Sequence, residues 1–166
     1  DVISPFISDT SLEYMTALNI IIESSRKLLN DEEKHLMFNE LIELVNNLRN
    51  SKNYYVSVLY YLNHVFKVAG YGFEVNRCVS CGTTKGIVTF SFEDGGFLCQ
   101  DCCKDITKQN LSSIEMNILR KIYLAKDLNS LNDIEYNSID IEHILNLYFA
   151  FVFDNFNVSL NSFKTL

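Results

Sequence analysis

The chain has 166 residues, 48% of them hydrophobic and 21% charged, which suits one domain with a useful core, or one domain plus a small module. Its formal net charge of −7 excludes a nucleic-acid-binding polycation as an overall description, although local basic patches survive such an average. No segment approaches the ~18 consecutive apolar residues of a membrane span, and the opening Asp1-Val2-Ile3-Ser4 has neither a basic signal-peptide n-region nor an initiator Met, so we expect a fragment or a processed chain.

Thr10 and Glu13 have capping-box spacing and predict a helix from about Ser11, whose apolar residues include Met15, Leu18, Ile22 and Leu29. Asn30 and Glu33 repeat the pattern. They open a second helix with Met37, Leu41, Leu44, Val45 and Leu48 on one face. A third runs from about Asn53 to Ala69, with Tyr55, Leu59, Leu62 and Phe66 as its buried stripe and Gly70 ending it. All six glycines then fall between residues 70 and 103, whereas the flanks are apolar-periodic. This predicts a loop-and-hairpin module over 71–108, inserted into a helical body formed by 1–70 and 109–166. Ser112 and Glu115 cap another helix carrying Ile118, Leu119, Ile122 and Tyr123. The last helix begins near Ser138 and is apolar nearly all round through Ile141, Ile144, Leu145, Tyr148, Phe149 and Val152, which marks it as the central, most buried one. The tail, with Val158, Leu160, Phe163 and Leu166, is expected to pack back. The fold class is thus mainly α: a helical bundle with an inserted four-cysteine zinc-ribbon-like β-hairpin.

Four of the five cysteines form Cys78-x2-Cys81 and Cys99-x2-Cys102, with seventeen residues between the pairs. Two intervening residues let both thiolates of a pair turn toward one ion, and two such knuckles supply the tetrahedral four-sulfur shell that zinc prefers. Ile87 to Phe92 reads as a strand, Glu93-Asp94-Gly95-Gly96 as a hairpin turn, and Phe97-Leu98 as the return strand that delivers Cys99. One structural Zn2+ on Cys78, Cys81, Cys99 and Cys102 is the expected cofactor, because four thiolates leave no open position for water. Metal binding in a reducing cytoplasm suits this usage better than a disulfide scaffold. Paired redox centres would need a thioredoxin-like βαβ pattern, which is absent. Iron–sulfur ligation uses the same ligand set, and the isolated ribbon favours zinc. Cys103 reads as a spare thiol.

His35, His64 and His143 have no metal spacing to one another, and no phosphate loop, GxSxG or HExxH motif occurs, so no enzyme is expected. Residues 104–126 hold five bases (Lys104, Lys108, Arg120, Lys121 and Lys126) against two acids. This stretch is a candidate contact for nucleic acid or a partner, with a solvated helix face as the preferred reading. Two other readings compete. A GATA-type DNA reader has similar cysteine spacing but a basic continuation, whereas residues 127–166 carry six acids and one base. An enzyme bearing a zinc ribbon lacks any catalytic constellation here.

The run Cys78-Val-Ser-Cys81-Gly82, then Phe90-Ser-Phe-Glu-Asp-Gly-Gly-Phe-Leu-Cys99-Gln-Asp-Cys102, resembles the C-terminal region of the bacterial RecO family. Gly70-Tyr71-Gly72 before the first knuckle and the closing Leu160 to Leu166 are similar as well. The resemblance implies a recombination mediator of the RecFOR DNA-repair pathway, which anneals strands and helps load RecA. It implies RecR and the acidic C-terminal tail of single-stranded DNA-binding protein as partners, and a cytoplasmic, nucleoid-associated location. It also implies an N-terminal OB-fold domain as the main DNA contact, and no such run of strands precedes the first helix here.

Overall fold

The computed structural model describes residues 11–51, 53–103, 110–158 and 160. Helix α1 spans Leu12–Leu28 and starts where the Ser11 hydroxyl accepts the Tyr14 N–H at 3.2 Å; Thr10 lies outside the described residues. Glu13 in the first turn and Arg26 and Lys27 in the last complement the helix dipole. Its buried face is Tyr14, Ala17, Ile20, Ile21 and Leu28, whereas Met15 and Ile22, grouped with the apolar set in the sequence, are exposed. Leu29 turns extended, and Asn30 and Glu33 form a full capping box that opens α2, Asp31–Leu48. So short a connection folds the two helices back on each other. α2 buries only Met37, Leu44 and Leu48, a thin stripe on an outer helix.

Helix α3, Tyr54–Val68, is the centre of the bundle. Eleven of its fifteen residues are buried, against six of nineteen in the last helix, α5 (Ser138–Phe156). This corrects the expectation that the last helix is central: α5 has the apolar composition, but Phe153 is exposed and Phe149 only half-buried. α1, α2, α4 and α5 all pack on α3. Two of its buried polar side chains are paired inside the bundle, with Tyr61 Oη 2.8 Å from Ser25 Oγ and Asn63 Oδ1 accepting the Tyr148 hydroxyl, whereas Tyr55 Oη and Asn63 Nδ2 are buried without a partner among the described residues. A side chain buried as fully as Tyr61 or Phe66 contributes roughly 1.5–3 kcal/mol. The helix closes in a Schellman motif. Gly70, at φ +87°, donates to Lys67 O at 3.2 Å and Tyr71 donates to Phe66 O at 2.7 Å.

Strands β1 (Ile87–Ser91) and β2 (Gly96–Cys99) form an antiparallel hairpin with Phe90 opposite Phe97 and an irregularity between Ile87 and Thr89. The chain before the first knuckle joins its edge: Glu74 donates to Gly95 O and accepts from Phe97 N–H, both at 2.9 Å. Gly96 makes this approach possible, because a Cβ there would sit 2.3 Å from Glu74 O. The sequence marks Gly96 only as part of a turn. Phe73, Phe90 and Phe97 belong to the same core as the helices. Phe73 is the hub, with ring centroids 5.1 Å from Phe90, 6.0 Å from Phe66 and 6.1 Å from Tyr148.

Ser112 and Glu115 form the capping box of α4, Ser113–Leu124, which buries Ile118, Leu119, Ile122 and Tyr123. A 3-10 turn over Asn129–Asp133 leads into α5, capped by Asn137 and ended by Asn157 in the left-handed region. Val158 packs against the core and Leu160 is buried; Phe163 and Leu166 lie outside the described residues.

Candidate metal centre and apolar groove

The two cysteine pairs are brought together by backbone turns. Gly82, at φ +77°, donates to Cys78 O at 2.8 Å, and Cys78 donates to Thr83 O at 2.7 Å, which closes the first knuckle. Cys102 and Cys103 both donate to Cys99 O, at 3.1 and 2.9 Å, which closes the second. Val79 N–H reaches Phe97 O at 2.8 Å and fastens the first knuckle to β2. The pleat of β2 then divides the hairpin, with Phe97 in the main core and Leu98 in a small cluster with Cys78 and Cys99.

The Sγ atoms of Cys78, Cys81, Cys99 and Cys102 all lie within 4.8 Å of one another, and Cys81 Sγ is 3.7 Å from Cys99 Sγ. A disulfide would hold two sulfurs at about 2.05 Å. An ion with metal–sulfur bonds of about 2.3 Å in a tetrahedron spaces its sulfurs about 3.8 Å apart, so the donor set fits one such ion. Among the described residues these four are the one group of three or more Cys, His, Asp or Glu side chains able to hold a metal. Cys78 and Cys99 are buried, Cys102 is half-buried and Cys81 is exposed.

The thiols interact strongly. Burial opposes ionisation of Cys78, but the backbone N–H groups of Cys99, Cys81 and Ser80 outweigh it and bring its pKa down to about 6. Cys102 is pushed up to about 12 by hydrogen bonds with the sulfurs of Cys81, Cys99 and Cys78. Cys78 therefore ionises readily while Cys81 and Cys102 hold their protons, as crowded anionic donors do.

The basic candidates separate. Arg120, Lys121 and Lys126 are all exposed, but Arg120 is engaged: its Nε donates to Val75 O at 3.0 Å and its Nη2 to Asn76 Oδ1 at 2.9 Å. Lys104 and Lys108 lie outside the described residues. Beside Arg120, the Tyr123 hydroxyl accepts Phe73 N–H at 2.7 Å, and Lys67 Nζ lies 4.1 Å from the Tyr123 ring centroid. None of the histidines joins the thiols: His35 is exposed, His64 pairs with Glu40 and His143 with Glu115.

A second feature was not read from the sequence. A groove of about 320 Å³ runs between α1 and α2, walled by Ile22, Leu29, Met37, Phe38 and Leu41, with Ser25 and Tyr61 also lining it. Arg26 and Lys34 stand on its rim, Lys34 also within 3.4 Å of Asp31. The signal lay in Ile22 and Phe38, apolar residues 49% and 57% exposed, which helical periodicity alone assigns to no partner. No helix among the described residues is long and apolar enough to cross a membrane.

Comparison with known proteins matches residues 10–158 to the family model described as the recombination protein O C terminal. Three curated proteins named DNA repair protein RecO are similar. That of Oceanobacillus iheyensis is 22% identical over 135 residues, 81% of this chain and 52% of the relative. That of Halalkalibacterium halodurans is 28% identical over 108 residues (64% and 42%), and that of Bacillus pumilus 33% over 89 residues (51% and 34%). The chain spans about half the length, or less, of these relatives. No solved structure gives a significant match.

Proposed function

The chain belongs to the RecO C-terminal family, and from that premise we propose that it is the partner-binding part of a DNA repair and recombination mediator. Strand annealing and RecA loading belong, in this reading, to a longer protein whose DNA contact is mainly an OB-fold region. The part described here meets RecR and the acidic tail of single-stranded DNA-binding protein. One Zn2+ on Cys78, Cys81, Cys99 and Cys102 holds the hairpin. Four thiolates fill its shell, so the ion is structural and no catalytic step is assigned to it.

The observation that carries the reading is the α1/α2 groove. Its apolar walls suit an apolar side chain of a bound peptide, and Arg26 and Lys34 beside them suit neighbouring carboxylates. The net charge of −7 opposes a general grip on nucleic acid, and it leaves an acidic peptide to be met at a local basic rim such as that of Arg26 and Lys34. Lys104, Lys108, Lys121 and Lys126 remain the candidate contacts for RecR or phosphate.

The test is fluorescence anisotropy with a labelled tail peptide of single-stranded DNA-binding protein. Binding is expected to weaken at least tenfold in Phe38→Glu and to fall with salt in the parent chain. Phe38 is exposed, so the substitution leaves the fold intact. A peptide that fails to bind, or binds Phe38→Glu as tightly as the parent, would remove the tail from the partner set. A pull-down with RecR tests the other partner separately.

A further inference from the structure

The short segment 73–77 carries the chain from the helical body to Cys78, and it is tied at successive residues. Phe73 is fixed by its ring in the core and by its N–H on the Tyr123 hydroxyl. Glu74 is fixed by its backbone on Gly95 and Phe97. Val75 and Asn76, immediately before Arg77 and the first thiol, are held from outside the hairpin by the guanidinium of Arg120. Nε and Nη2 lie on one edge of the planar fork. A backbone carbonyl and a side-chain amide oxygen accept from them side by side, a pairing that a lysine ammonium reproduces only in part.

We infer that Arg120 is a positioning residue for the four-thiol centre: from α4 it fixes the approach to Cys78 and so raises the affinity of the centre for its metal. A knuckle already held in its bound geometry loses less conformational freedom when the ion closes the shell. By reciprocity, the metal strengthens the grip of α4 on the loop by the same factor. The inference rests on the reading of the four cysteines as metal ligands. It also gives Arg120 a role other than the phosphate or partner contact that its place in a basic stretch suggests.

The test is anaerobic titration of the whole reduced chain with Co2+, read by thiolate-to-cobalt charge transfer and ligand-field absorption, followed by competition with Zn2+. Arg120→Met is expected to keep one ion per chain and the same tetrahedral spectrum while weakening affinity about tenfold, 1.4 kcal/mol. Arg120→Lys falls between the two, and the exposed neighbour Lys121→Met matches the parent. Asn76→Ala changes an exposed residue and removes the Nη2 contact alone, with an expected loss of about threefold. It decides the matter if Arg120→Met does not fold. Parent-like affinity in Arg120→Met, or in Asn76→Ala where only that variant folds, overturns the inference and leaves the metal reading standing. A parent chain that binds no cobalt overturns both.

Discussion

Replacing Gly96 by alanine tests the junction between hairpin and body. The added Cβ would lie 2.3 Å from Glu74 O, 2.8 Å from Glu74 N and 3.0 Å from Glu74 C, all backbone atoms that cannot swing aside. Segment 73–77 must therefore retreat, and the Glu74–Gly95 and Phe97–Glu74 hydrogen bonds, both 2.9 Å, are lost. Two hydrogen bonds at roughly 0.5–1.5 kcal/mol each, with a further desolvation cost for any group left buried and unpaired, give a loss of about 3 kcal/mol. For a domain of this size that corresponds to a fall in Tm of roughly 6–12 °C. The control is Gly95→Ala: at φ +80° it meets nothing within 4 Å, so only backbone strain of about 1–2 kcal/mol opposes it. Thermal unfolding followed by far-ultraviolet circular dichroism at saturating zinc reads both variants. If Gly96→Ala melts within 2 °C of the parent, the Glu74 segment is not held as described.

Cys81→Ser should lower bound zinc and Tm together, whereas Cys103→Ser should leave metal content unchanged, both read by elemental analysis and melting. Full zinc in the first would remove Cys81 from the ligand set, and lost zinc in the second would add Cys103 to it. Glu115 supplies a pH dependence. Burial opposes its charge, but the Ser112 N–H, the His143 ring and the Ser112 hydroxyl outweigh it and hold the carboxyl below its ordinary value of 4.5. A carboxyl depressed on folding adds stability that is complete above the unfolded pKa and lost as pH falls through the folded one. Glu115→Gln should therefore lower the urea midpoint at pH 7, and the gap from the parent should close below about pH 4.5. A gap that is unchanged at pH 3.5 would mean that the charge contributes nothing.

What could be read from the sequence follows the range of the interaction. Asn30 with Glu33, Ser112 with Glu115 and Gly70 after α3 are local signals spanning three or four residues, and each stands where the pattern puts it. The cysteine knuckles are equally local, and the hairpin only has to bring the two together. Which apolar helix is covered on every side depends on its neighbours, so the apolar composition of α5 points to a centre that α3 occupies. The exposed Ile22 and Phe38 look like core residues until the α1/α2 hairpin turns them outward. Arg120 lies 45 residues from Val75, and Gly96 meets Glu74 22 residues earlier in the chain, where no spacing rule operates.

The placement of Phe73 among rings from both the hairpin and the helices has a consequence for mutational screening. Its ring meets Phe66 of α3, Phe90 of β1 and Tyr148 of α5 in one cluster. A scan that sorts variants by position would file Phe73 with neither the cysteines nor the bundle. Its truncation should nevertheless produce both phenotypes at once, poor metal retention and loss of helical signal. Variants of that double class would trace the seam along which hairpin and bundle are folded as one body.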